Sequence, residues 1–219
     1  MNLQYLTERP PQTGLRYATS FDDGTLRQID YVTPVGVLLY TSLSFDPPVA
    51  GNATVLRALV RPGMALTSSD LITLTLPGFA SIAPSARFLP VTSIPAGLVQ
   101  RNRARWVADS AQLVFNLSGT FPTNATLVLT QSGGLRIPPG GIDPSLASPS
   151  VSAVALAGSV TPSVPIASFP SIGAFLNTRL TFDHAARAGQ PVDLVLHFAL
   201  NRAMIPGDEV VYIPSFMLV

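Results

Sequence analysis

The amino-acid sequence predicts an all-β protein, an antiparallel sandwich or barrel, on three observations. Proline (21) and glycine (16) punctuate the 219-residue chain at intervals of roughly 8 to 15 residues, the spacing of turns between short strands. The stretches between them are rich in Val, Leu, Ile, Thr and Phe, and several alternate apolar and polar residues with the period of a half-buried strand. No stretch carries a convincing helical period; the best candidate, Ala104 to Val114, reads equally well as a strand.

In chain order, Leu15 to Ser20 and Leu26 to Val32 are strand-like, with Asp22-Asp23-Gly24 between them. In Leu71 to Leu76 the residues Ile72, Leu74 and Leu76 share one face and Thr73 and Thr75 the other. Leu113, Phe115 and Leu117 point one way, and Leu127 and Leu129 turn inward in Thr126 to Gln131. Val192, Leu194, Leu196, Phe198 and Leu200 form the apolar face of a later strand.

Composition narrows the function. Only 11% of residues are charged, against about 25% in ordinary soluble domains, while 47% are hydrophobic. A chain so apolar must bury surface, part of it between subunits. No run of about 18 apolar residues is present, so no membrane span is expected. A net charge of +1 gives no field for nucleic acid or acidic lipid. With no cysteine there is no disulfide, thiolate metal site or cysteine nucleophile. Met1 to Gln12 holds no apolar signal core: either a signal precedes this numbering or the chain is not secreted, and the glycosylation signals below favour the first.

An internal repeat is the most informative feature. Val35-Gly36 to Phe45-Asp46 matches Ile172-Gly173 to Phe182-Asp183, an offset of 137. Ala50-Gly51 then meets Ala188-Gly189, Leu56 meets Leu194, Ala65 meets Ala203 and Asp70 meets Asp208, one residue further on. Pro77-Gly78-Phe79 returns to the first offset against Pro214-Ser215-Phe216. The second copy reaches Val219 just after that landmark, whereas strands follow the first. The expected organisation is a strand-like N-terminal segment at 1–33, a complete module at 34–142, a Ser/Pro-rich linker at 143–170 with one strand from Val151 to Leu156, and a partial second module at 171–219.

The pattern Gly207-Asp208 to Pro214-Ser215-Phe216, its degenerate form Ser69-Asp70 to Phe79, the Trp106 segment and Gly134-Leu135-Arg136-Ile137-Pro138-Pro139 resemble the Ig-like β-sandwich repeats of very large secreted surface proteins of algae and related protists. They also resemble subunits of glycosylated extracellular fibrils that join head to tail by strand exchange. The resemblance spans most of 34–216. It implies Ig-like antiparallel modules, one complete and one partial, a surface or matrix role, and no catalytic residues.

Three Asn-x-Ser/Thr sequons begin at Asn52, Asn116 and Asn124. Asn116 lies opposite in phase to Phe115 and Leu117, and Asn124 is out of phase with Leu127 and Leu129, so both are expected to face solvent, and Asn52, Asn116 and Asn124 are all expected to carry glycans. Thr161-Pro162-Ser163-Val164-Pro165 suits either O-glycans or a plain extended stretch. Asp22-Asp23-Gly24 offers two carboxylates but no further oxygen ligands, and reads as a hairpin turn rather than a cation site. His184 and His197 are the only histidines; with no Gly-x-Ser-x-Gly elbow they read as solvated side chains. Arg101, Arg103 and Arg105 alternate ahead of Trp106, as on a single-strand nucleic-acid surface, but read as a solvated strand face, with Trp106 in the core or stacked on a sugar. Asp70 and Asp208 are expected to cap turns, and Phe45 with Phe182 and Phe79 with Phe216 to be paired core anchors.

The function expected is a non-enzymatic structural subunit of an extracellular glycoprotein fibril or matrix. It is expected to have no catalytic, cofactor or metal site, and its partners are covalent glycans and identical subunits that complete the open module by strand addition, with residues 1–33 or the equivalent terminal strand as donor. The alternative is a carbohydrate-binding or adhesive module, for which Trp106, Tyr31 and Tyr40 would have to be exposed on one sheet face. A jelly-roll capsid or fibre protein is a third reading.

Overall fold

The computed structural model describes residues 35–83, 87–143, 148–182, 193–204, 206–207 and 210, with the backbone of 16–17 and 27–28. The protein is all-β and antiparallel. In the N-terminal segment β1 (Arg16–Tyr17) pairs with β2 (Arg27–Gln28) in a register centred on Asp22; the Asp22-Asp23-Gly24 turn itself lies outside the described residues. The strands that follow are β3 (Leu38–Asp46), β4 (Ala53–Pro62), β5 (Leu71–Thr75), β6 (Ala80–Ser81), β7 (Phe88–Ile94), β8 (Arg103–Val107), β9 (Gln112–Asn116), β10 (Leu127–Arg136), β11 (Ser150–Val154), β12 (Val160–Pro165), β13 (Phe175–Phe182) and β14 (Leu194–Leu200). The ambiguous stretch from Ala104 to Val114 resolves into β8, one 3-10 turn at Ala108–Ser110, and β9.

Strands β3 to β12 form one hydrogen-bonded path, β12-β11-β5-β9-β8-β7-β10-β4-β3, with β6 beside β10. The path folds into two layers at β7. Its first half, Phe88 to Pro90, pairs with Arg105 to Arg103 of β8; its second half, Val91 to Ile94, pairs with Gln131 to Val128 of β10. The opposite seam is closed by parallel bridges. Gly36 N donates to Ser159 O at 3.0 Å, Leu43 N to Ser168 O at 2.9 Å and Ser168 N to Thr41 O at 3.2 Å. The seam is tight because two glycines meet there: a Cβ on Gly36 would lie 2.3 Å from the Gly158 carbonyl oxygen.

The alternation read from sequence is the burial seen. Ile72, Leu74 and Leu76, Leu113, Phe115 and Leu117, and Leu127 and Leu129 all point into a single core between the layers. Phe45 and Phe79 stack there with ring centroids 5.5 Å apart. Trp106 is buried in the same core, so it offers no platform to a sugar.

Two strands, not one, lie in the described part of the expected linker, residues 148–170. β11 pairs with β5 over five residues and β12 pairs with β11, so this stretch completes one layer. Val151 and Ala153 turn inward while Ser150 and Ser152 turn out. A Ser/Pro-rich composition hides such strands because small hydroxyl residues suffice on an outer face, and proline is tolerated on an edge strand such as β12. Asp70 ties the stretch to the first half of the module. Its carboxylate accepts from Thr67 N (2.7 Å) and Thr67 Oγ1 (3.1 Å), capping that turn as expected, and from Leu156 N (3.2 Å).

β13 and β14 form a separate two-stranded hairpin. Its pairing copies that of β3 and β4. Phe45↔Leu56, Leu43↔Ala58, Ser42↔Leu59 and Leu38↔Pro62 in the first hairpin become Phe182↔Leu194, Leu180↔Leu196, Arg179↔His197 and Phe175↔Leu200 in the second. Each pair is the other shifted by the offsets of the sequence repeat. The bond closing the hairpin base is also shared: Gly63 N donates to Val37 O (2.8 Å), and Asn201 N to Ala174 O (3.1 Å).

Candidate functional site

The two hairpins share their register on either side of the bulge and differ in surroundings. Leu43, Phe45, Leu56, Ala58 and Val60 are at most 7% exposed, because the second layer covers them. Their counterparts on β13 and β14 are uncovered: Phe182 is 50% exposed, Leu194 42%, Leu196 37% and Phe198 39%, with Leu180 half-buried. Phe175 packs edge-to-face on Phe198, centroids 5.3 Å apart, and extends this apolar strip. Phe45 is the core anchor expected; Phe182, its equivalent, lies on the open face instead.

The hairpin edges are open as well. β4 has β10 along its outer edge, and β3 is bonded to Ser168. Neither β13 nor β14 has a second strand partner among the described residues. An isolated two-stranded hairpin is marginal in water, and unpaired edge N–H and C=O groups are a template for another strand.

What holds the hairpin is a joint at its base. Ile142 and Ile172 exchange both backbone bonds, at 2.9 and 3.0 Å. Asn201 locks the corner: Oδ1 accepts from Ala174 N at 2.7 Å, and Nδ2 donates to Gly140 O at 2.8 Å and Ile172 O at 3.1 Å. Asn201→Ala removes all three side-chain bonds. It should loosen the hairpin by about 1–3 kcal/mol while leaving the sandwich intact. Amide hydrogen exchange is the check: protection should fall at Ala174 and Ile172 and stay unchanged at Leu56 and Leu129.

The sequon asparagines occupy three different places, all exposed. Asn52 sits in the β3–β4 turn, and Asn116 ends β9 between the buried Phe115 and Leu117. Asn124 lies just ahead of β10 at φ +62, its carbonyl accepting from Arg61 Nε at 2.8 Å. Arg103 and Arg105 face outward on β8. His197 is exposed on β14 opposite Arg179; His184, Asp208, Phe216 and Tyr31 lie outside the described residues. Tyr40 is exposed, but with Trp106 buried the aromatic face of the carbohydrate reading is not assembled among the described residues.

Sequence reasoning missed one grouping. Register places Phe88 of β7 beside Arg105 of β8, and a groove of about 260 Å³ opens on this outer face, lined by Phe88, Arg101, Arg103, Arg105 and Asn116 among others. Among the described residues no helix is long and apolar enough to cross a membrane, and no three metal-ligating side chains gather. No protein-family model matches the chain, and no curated protein matches it.

Proposed function

We propose that this protein is a structural subunit of an extracellular glycoprotein fibril or matrix, assembled head to tail by strand addition to the β13–β14 hairpin. The observation that carries the reading is the contrast between two hairpins of one register, one enclosed in a sandwich and the other bare on its apolar face and both edges. A strand laid beside β14, where β10 lies beside β4, would satisfy the open edge, and its alternate side chains would cover the face. Contacts of this head-to-tail kind propagate as open filaments.

The strand order supports an Ig-like module. β3-β4-β10-β7 follows the A-B-E-D sheet of such a sandwich, and β12-β11-β5 the G-F-C sheet, in the right chain order. β8 and β9 are an added hairpin that fills the gap between the C and D positions. On this reading β13 and β14 are the A and B strands of a following module. The donor is residues 1–33 of a neighbouring copy, a segment that already contains the paired β1 and β2. Glycans at Asn52, Asn116 and Asn124 would keep the closed sandwich hydrated and confine association to the hairpin.

Negative-stain images of the purified chain should show filaments of regular axial repeat. Deleting residues 1–33 should abolish them with little change in melting temperature; filaments from the deletion variant, or a concentration-independent monomer from the full chain, would refute the assembly. Peptide mass spectrometry of protein from its natural source, after enzymatic deglycosylation, should find aspartate at Asn52, Asn116 and Asn124; unmodified asparagine at all three removes the glycoprotein reading. A second reading has one observation in its favour: β4-β10-β7-β8-β9-β5-β11 is also the strand order of a jelly roll. Closed shells in the same images would select it.

A further inference from the structure

The added β8–β9 hairpin carries a feature that strand addition does not use. Arg103 and Arg105 alternate on the outer face of β8, about 7 Å apart along the strand. Arg101 stands in the preceding turn, where it and Asn102 both adopt left-handed backbone, at φ +55 and +51. All three guanidiniums open onto the groove of about 260 Å³. Among the described residues that line it there is no carboxylate, and none of the three has a hydrogen-bonded or ion-paired protein partner. Arg103 lies 5.4 Å over the Phe88 ring, which holds its charge in place before any ligand arrives.

Three like charges gathered without a counter-charge repel one another and call for an anion. The guanidinium fork suits the oxygens of sulfate, carboxylate and phosphate alike. The surrounding face decides among carriers. From Arg105 the cross-strand row runs through Val114 to Thr73 and Ser152, and the next row through Gln112 to Thr75 and Ser150. These hydroxyl and amide groups match sugar hydroxyls. A single-stranded nucleic acid needs aromatic faces for its bases, and the one aromatic ring here is already covered by Arg103.

We propose that this groove binds the sulfate or carboxylate groups of an acidic polysaccharide, making the module an adhesive contact to an anionic matrix. The inference does not depend on the assembly reading. Asn116 lines the groove, so a glycan on that residue would shield it: the groove binds in copies whose Asn116 is unmodified, and the test uses the full chain made in a host that adds no glycans.

The measurement is calorimetric titration at low ionic strength with dextran sulfate, neutral dextran, inorganic sulfate and a single-stranded oligonucleotide. Dextran sulfate should bind, and R103Q/R105Q should weaken it about tenfold or more. Arg57→Gln, on the outer face of β4, should leave binding unchanged, and all variants should share one melting temperature. Four results would each overturn the proposal: binding that survives in R103Q/R105Q, equal loss in Arg57→Gln, neutral dextran bound as well as dextran sulfate, or tighter binding of the oligonucleotide. Inorganic sulfate bound as tightly as the polymer would reduce the groove to a small-anion site and also refute it.

Discussion

A chain carrying L196D and F198D should sediment as a monomer at concentrations where the parent chain polymerises, and its sandwich should melt within about 2 °C of the parent. The asymmetry follows from where the two side chains sit. Both lie on the bare face of β14, so in the free subunit aspartate replaces apolar surface that water already reaches. In the assembly the same positions would be covered by a partner strand, and an unpaired carboxylate there costs several kcal/mol. Phe182, Leu194, Leu196 and Phe198 are each roughly half open, so covering them is worth about 1 kcal/mol apiece, and losing two of four removes much of the association energy. Double-variant polymers of normal length would mean that this face is not the contact.

Gly36→Ala and Gly173→Ala, one substitution made at equivalent positions of the repeat, should differ sharply. At Gly36 the new Cβ would meet Gly158 O at 2.3 Å and its carbonyl carbon at 2.8 Å. Both are backbone atoms of the closing seam, which cannot rotate away. The seam must part there, losing the Gly36-to-Ser159 bond, for about 2–4 kcal/mol and a fall in melting temperature of roughly 5–15 °C. At Gly173 the nearest atom is Arg202 Nε at 3.3 Å, the end of a flexible side chain, and the change should stay within about 1 kcal/mol. Equal effects in a thermal melt would show that the second hairpin is closed by a seam like the first.

What the sequence made legible is what period two controls. Ile72, Leu74, Phe115, Leu127 and Leu129 were assigned to the core from alternation alone, and the repeat landmarks matched two hairpins whose registers coincide on both sides of a bulge that each places differently. A strand at Val151 to Leu156 was legible and corresponds to β11, but its place beside β5 was not, and β12 was missed because Val160 and Val164 stand alone among threonine, serine and proline. The arginine groove was half visible. The alternation of Arg101, Arg103 and Arg105 is in the sequence, but Phe88 and Asn116 join them only through the β7–β8 and β8–β9 ladders, and the pairing of strands across a sheet has no signature in residue spacing.

The joint at the hairpin base has a mechanical meaning. If neighbouring subunits hold one another through β13 and β14, a pull along the polymer loads, beside the covalent chain that leads into β13, the Ile142–Ile172 bridge and the Asn201 corner: two backbone bonds and three from one side chain. The ladder between β4 and β10 pairs seven residues along its length. Under load the corner yields first, letting the hairpin swing while the sandwich keeps its shape. Gly141 sits at this corner at φ +72, with no room for a Cβ beside Ile172 O, so no other residue would let the corner close. A fibre built this way would stretch at its joints and recover its length when the tension is released.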